Sequence, residues 1–197
     1  MNYTKEIIKT TALQLFLTRG YSVGINEIIQ KSGTSKGAFY HHFASKEKLF
    51  LETVDKFFFG YLDNLDFPDT TELSFRKEII SLAKKAYAPF KAIRQLIPAS
   101  EDLNYLNIIA EYPNHESLRK KNTDHFNNFI DALTRILETA VKDGIITRQV
   151  DTKSLCFHIG MLIDGSIVDG ILMYNSIDKA EEACLTALEQ LLDLVEN

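Results

Sequence analysis

Apolar positions in the first fifty residues recur at helical spacing, and glycine interrupts them at short intervals. Ile7, Ile8, Ala12, Leu15 and Phe16 share one side of a predicted helix over Tyr3–Arg19. Gly20 ends it, and Tyr21 falls where it can fold back on Phe16, the hydrophobic contact of a Schellman cap. A second helix, Ile25–Ser32, starts after Gly24 as N-cap, turns Ile25, Ile28 and Ile29 inward and stops at Gly33. Only Thr34 and Ser35 separate it from a third helix capped by Ser35. In that helix Phe39 and Phe43, four residues apart, must face the core.

The remaining positions of the third helix carry different chemistry. Lys36 with Tyr40, and Gly37 with His41, line the side opposite the phenylalanines. That face offers a cation, a phenol, an imidazole and a glycine over which another body can come close. Two short helices joined by a tight glycine-containing turn form the helix-turn-helix unit, whose second member enters the major groove of DNA. Lys36 follows the cap Ser35, and Lys46 follows the cap Ser45 of a fourth helix. Both cations therefore stand at the positive end of a helix dipole, where charge of that sign costs about 0.3–1 kcal/mol. A phosphate docked at each helix start would reverse the penalty, because backbone N–H groups, dipole and lysine attract the same anion.

Charge supports the division of the chain. The net charge of −5 argues against a polyanionic partner until the sequence is cut at residue 50. Residues 1–50 hold seven lysines and arginines against three acids, and the rest holds fifteen against twenty-four. Within 197 residues, 45% hydrophobic content with 9 glycines and 4 prolines fits long helices and a real core. The two cysteines, Cys156 and Cys184, are too few for a disulfide scaffold and read as buried thiols. The N-terminus lacks a signal peptide's apolar core, and the longest apolar run, Ile159–Tyr174, is broken by Asp164 and Asp169. A cytoplasmic protein without a membrane span is expected. No phosphate loop, zinc-protease motif, nucleophile elbow or paired CxxC occurs, and His158 with Asp164 is poorly spaced for a metal. Catalysis, metal and cofactor are not expected.

The stretch Gly20-Tyr21, Asn26-Glu27-Ile28-Ile29 and Ser32 through Leu49, above all the run SKGAFYHHFASKEKL, resembles the N-terminal DNA-binding domain of TetR-family transcriptional regulators. The resemblance covers about a quarter of the chain. It implies that Lys36, Gly37, Ala38, Tyr40 and His41 lie toward DNA on the recognition helix. Tyr40, His42 and Lys46 would touch backbone phosphates, with Thr34 a further contact from the turn. Two positions depart from the family pattern. Val23 and Gly24 stand where a Ser or Thr usually caps the second helix and bonds phosphate, and Ala38 stands where many members have Thr. Base readout then rests on few side chains, with Lys36 the best partner for a guanine edge.

Downstream, the fourth helix carries Leu49, Phe50, Val54, Phe57, Phe58, Tyr61 and Leu62, more apolar surface than one stripe requires. Phe67-Pro68-Asp69 breaks the chain, and Leu73–Ile97 reads as a helix with Pro89 as a kink or boundary and Pro98 as its stop. Asp102–Tyr112 reads as a short helix, His115–Lys142 as a long one closed by Asp143-Gly144, and Thr152–Tyr174 and Asp178–Val195 as the last two. Strands are not expected, although Ile145-Ile146 can extend briefly.

The expected architecture is thus all-α, with a three-helix helix-turn-helix domain at residues 1–48 and a larger helical effector-binding and dimerisation domain at 49–197. The resemblance implies a homodimer whose last two helices form a four-helix interface and a palindromic double-stranded operator. It also implies a repressor released by a small-molecule effector. Tyr87, Phe90, Tyr105, Phe126, Phe129, Phe157 and Met161 could line an apolar effector cavity or simply fill the core, so the pocket stays unassigned. Asp164 and Asp169 could meet a ligand or an interface partner. Competing readings are an enzyme, and a DNA-binding protein without an effector.

Overall fold

A computed structural model of the chain describes residues 3–63, 74–147, 150–174 and 176–196. Regular structure among them is helical, and the one pairing outside helices is an isolated antiparallel bridge between Ile146 and Glu196. The first four helices, α1 (Tyr3–Arg19), α2 (Ile25–Ser32), α3 (Lys36–His42) and α4 (Lys46–Val54), fall where apolar spacing and caps put them. Ile8, Ala12, Leu15 and Phe16 of α1 are wholly buried, and α2, α3 and α4 all lie against this helix. Gly20 has φ +78°, its N–H donates to the Phe16 carbonyl at 3.0 Å, and the Tyr21 ring sits 6.1 Å from that of Phe16. Gly33 (φ +63°) closes α2 in the same way, with the Thr34 N–H donating to the Ile29 carbonyl at 3.2 Å.

After Val54 the helix widens into a π-turn at Asp55–Phe59 before α5 (Gly60–Asp63). The wider turn lets three consecutive phenylalanines, Phe57, Phe58 and Phe59, all be buried, which one α-helical stripe does not allow. The expected chain break at Phe67-Pro68-Asp69, the helix start at Leu73 and the Leu62 side chain lie outside the described residues. Helix α6 (Phe75–Leu96) runs through Pro89 and ends before Pro98. The short helix expected over Asp102–Tyr112 is only partly present: α7 covers Leu106–Ile109, and a 3-10 turn follows at Tyr112–Asn114. The reason is tertiary. The Asn104 N–H donates to the Leu17 carbonyl (3.0 Å) instead of into a helix, and Leu103 and Tyr105 are buried. Helices α8 (Glu116–Lys142), α9 (Thr152–Asp169) and α10 (Ile177–Val195) complete the chain, and a π-turn at Gly170–Tyr174 follows α9. Gly170 is needed for the approach of α10, since a Cβ there would stand 2.2 Å from that of Ala180.

These helices form two compact units. One takes the described residues of Met1–Asp63 and Ala92–Asn122, the other those of Asn64–Lys91 and Thr123–Asn197. In the first, the 101–115 segment is wired to the helical head. Asn107 Nδ2 joins the Asn104 N–H on the Leu17 carbonyl (3.0 Å), and Gln14 Nε2 donates to Glu101 (2.8 Å). In the second, Tyr87, Leu133, Leu137, Ile159, Leu188 and Leu192 are core, and Cys156 and Cys184 are buried free thiols as expected. The Tyr87 hydroxyl meets Ser166 there, while Arg76 pairs with Asp193 (2.8 Å) and Glu196 (2.6 Å). None of the described helices is long and apolar enough to cross a membrane.

Candidate nucleic-acid interface

Two wholly buried rings, Phe39 and Phe43, fix the orientation of α3. With that side committed to the core, Lys36, Gly37, Tyr40 and His41 are exposed on the other, and Ala38 and His42 are half-buried at its margins. Tyr40 keeps 47% of its surface while its ring packs edge-on against Phe39 at 5.3 Å. The rings of His41 and His42 pack against each other edge to face, at 4.8 Å and 68°. Lys36 makes no ion pair among the described residues.

Gly37 is informative because the fold does not require it. A Cβ there would touch only Ser35 Oγ at 3.9 Å, so a larger residue fits the chain's own structure. Glycine inside a helix costs about 1 kcal/mol relative to alanine.

The two helix starts share one construction. Ser35 Oγ accepts from the Ala38 N–H at 3.0 Å, and Ser45 Oγ accepts from the Lys48 N–H at 3.1 Å. Each serine satisfies one amide of its first turn, and other first-turn amides stay available to an anion. The lysines after the caps are not equivalent. Lys36 is exposed, whereas Lys46 turns back: its Nζ donates to the Tyr21 carbonyl at 2.8 Å and lies 4.4 Å from the centre of the Tyr21 ring. Lys48, two residues further on, is an exposed cation of this helix start, with Glu52 at 3.9 Å. Sequence reasoning passed over Lys48 because it looked for the residue directly after the cap. Thr34 is engaged as well. Its hydroxyl lies 2.8 Å from Ser32 Oγ, which itself donates to the Ile29 carbonyl, so Thr34 supplies the proton to Ser32.

Behind this surface Tyr21, expected only to pack on Phe16, is a junction. Its ring touches Phe50 (4.8 Å) and His115 (5.7 Å), and His115 Nδ1 lies 3.2 Å from Glu47 in the first turn of α4. Burial raises the Tyr21 hydroxyl pKa, and the nearby Glu47 and Glu111 carboxylates push it further the same way. The phenol therefore stays neutral, and the head is joined at α4 to the 101–115 segment. Tyr21 gave one sequence signal, its place after Gly20; His115 gave none.

Of the residues suggested for an effector cavity, Tyr87 and Tyr105 are buried core, while Phe126, Phe157 and Met161 are exposed. In the second unit an open cleft of about 410 Å³ is lined by Arg76, Lys77, Ile80, Ser81, Lys84 and Glu189.

Comparison with known proteins agrees with this geometry. Residues 8–53 match the profile of bacterial regulatory proteins, tetR family. An uncharacterized HTH-type transcriptional regulator, YerO of Bacillus subtilis, is 46% identical over 56 residues, which is 28% of this chain and 19% of that protein. The HTH-type transcriptional repressor NemR of Escherichia coli is 28% identical over 89 residues, 44% of this chain and 45% of NemR. The matched region thus spans less than half the length of either relative. The fold similarity is wider. The crystal structure of a transcriptional regulator from Saccharomonospora viridis in complex with choline superposes with a TM-score of 0.68 at 21% identity, over 96% of this chain and 97% of the other.

Proposed function

We propose, from the membership of residues 8–53 in the tetR family of bacterial regulatory proteins, that this chain is a sequence-specific DNA-binding transcriptional regulator. It acts as a repressor that a small-molecule effector releases from its operator. One observation carries the reading: burial of Phe39 and Phe43 leaves Lys36, Gly37, Tyr40 and His41 as the outward face of a capped helix that follows a two-residue turn. Residues 1–48 are the DNA-reading domain, and 49–197 bind the effector and form the dimer.

On DNA, α3 lies in the major groove with the Gly37 backbone close to the duplex. Lys36 reaches a guanine edge, Ala38 gives an apolar contact, and Tyr40 and His41 reach the strand walls. His42 and the start of α4 approach phosphates at the groove edge. Lys46 serves this helix start from behind: tied to Tyr21, it holds α4 in place and adds its field to the free amides, while Lys48 meets the phosphate directly. Thr34 contributes through the turn it stabilises.

A single α3 reads few base pairs, so the operator is a palindrome read by two heads about 34–36 Å apart. The second copy is supplied by a homodimer through α9 and α10. The apolar surface left exposed on α9, including Phe157, Met161 and Val168, supports this assembly. Effector binding favours a state in which the spacing of the heads no longer fits both half-sites. The 101–115 segment belongs to the same compact unit as the head and is bonded to it at Leu17, Gln14 and Glu47.

The test is selection of fragments of the source genome on the full-length protein, followed by binding measurements with candidate metabolites. Recovery of a palindromic site whose affinity falls with one compound is expected. Capture of unrelated fragments with equal affinity would overturn the reading.

A further inference from the structure

His115 is buried, and its neighbours come from separate parts of the first unit. The Tyr21 ring stands edge-on to it at 5.7 Å, the Phe50 ring of α4 leans on it at 5.4 Å, and its Nδ1 lies 3.2 Å from Oε1 of Glu47 in the first turn of α4. A carboxylate only accepts, so Nδ1 carries the proton and donates. Among the described residues Nε2 has no hydrogen-bond partner. Burying an imidazole with one nitrogen unpaired costs stability that an apolar side chain between the same two rings would not cost. The hydrogen bond of this ring goes to Glu47 alone.

Glu47 is 60% exposed, and its carboxylate belongs to a helix start that the proposed function sets against a phosphate. A carboxylate at this end of a helix is drawn to the same first-turn amides that a phosphate would use, and it repels the phosphate itself. The rest of the turn suits an anion. Ser45 Oγ takes only the Lys48 N–H, Lys46 is folded onto Tyr21, and the Lys48 side chain is exposed. Glu47 is the first-turn residue of the wrong sign, and His115 is what holds it.

We infer that His115 is a positioning residue for DNA binding. Its Nδ1–H draws the Glu47 carboxylate toward the 101–115 segment and off the first-turn amides of α4, which leaves those amides to a phosphate. This rests on the DNA reading in the proposed function and deepens it by naming a residue away from α3 that sets the charge met by the duplex. The effect is electrostatic and blind to base sequence, because phosphates are the same at every step.

The test is the affinity of the full-length protein for its genome-selected operator and for a shuffled duplex, with a melting temperature for each variant. His115→Leu keeps apolar bulk between the rings and loses the donor. It should hold or raise the melting temperature and weaken binding to both duplexes about fivefold, a deficit that shrinks as salt screens the repulsion. His115→Asn loses the ring but keeps an N–H on the atom bonded to Cγ, and should restore most of the affinity at a lower melting temperature. Glu47→Gln should tighten binding and, combined with His115→Leu, give the affinity of Glu47→Gln alone. A double variant that shows the full His115→Leu loss, or affinities that simply follow melting temperature across the His115 variants, would overturn the assignment and leave the DNA reading intact. A parent protein that holds neither duplex even at low salt would overturn both.

Discussion

The ammonium of Lys46 is bonded to the carbonyl of Tyr21, 2.8 Å away, and lies over the ring of the same residue. Lys36, in the matching position one helix earlier, extends into solvent. The two lysines that follow the serine caps thus differ, one directed into solvent and the other tied back to Tyr21 within the head.

A measurable asymmetry follows. Lys36→Ala should lower the slope of log affinity against log salt by about one unit and relax discrimination at one base position. Lys46→Ala should weaken binding evenly across sequences and lower the melting temperature, with less than half the change in slope, because its hydrogen bond is worth about 1 kcal/mol to the fold. Equal slope changes for both would show that Lys46 leaves Tyr21 on binding DNA.

Gly33 tests the turn itself. Its φ of +63° is in the left-handed region, and a Cβ there would meet nothing within 4 Å, so substitution carries backbone strain alone. Gly33→Ala should therefore destabilise the protein by about 1 kcal/mol in denaturant unfolding, and Gly33→Asn by less. A neutral alanine variant would contradict the assigned turn.

Acid should loosen the head through Glu52. Lys5 (2.7 Å) and Lys9 (3.4 Å) hold this carboxylate from α1. Burial alone would raise its pKa, but the two ammonium groups outweigh that and leave it below the ordinary 4.5. A lowered pKa in the folded state stabilises the protein above pH 4.5, and that contribution disappears as the pH falls through the folded value. Melting temperature recorded against pH should show a shallower acid decline for Glu52→Gln than for the parent, and a lower value at pH 7. Superimposable acid limbs would remove Glu52 from this role.

Much of the head was readable because its determinants are local. Gly20 and Gly33 end helices through their own backbone freedom, and Phe39 with Phe43 settles by spacing alone which side of α3 faces out. What escaped depends on distant residues. The N-terminal part of the Asp102–Tyr112 segment is not helical because Asn104 finds the Leu17 carbonyl, 87 positions earlier in the chain, a partner that no local pattern encodes. The π-turn at Asp55–Phe59 arises from a need to bury three adjacent rings, and the inward turn of Lys46 from a carbonyl 25 residues away. On α9, periodicity marks apolar residues on both sides of the helix, and only the fold shows which side its own chain covers.

The central claim is that the outward face of α3 reads DNA sequence through an electrostatic contact with the duplex. The most direct measurement is the affinity of the full-length protein for its genome-selected operator and for a shuffled duplex, titrated in parallel over a range of salt concentrations. Affinity for both should fall steeply with salt, the operator staying at least about a thousandfold tighter and losing that advantage in Lys36→Ala combined with Tyr40→Ala. Equal affinity for the two duplexes, or an operator preference untouched by the double substitution, would contradict it.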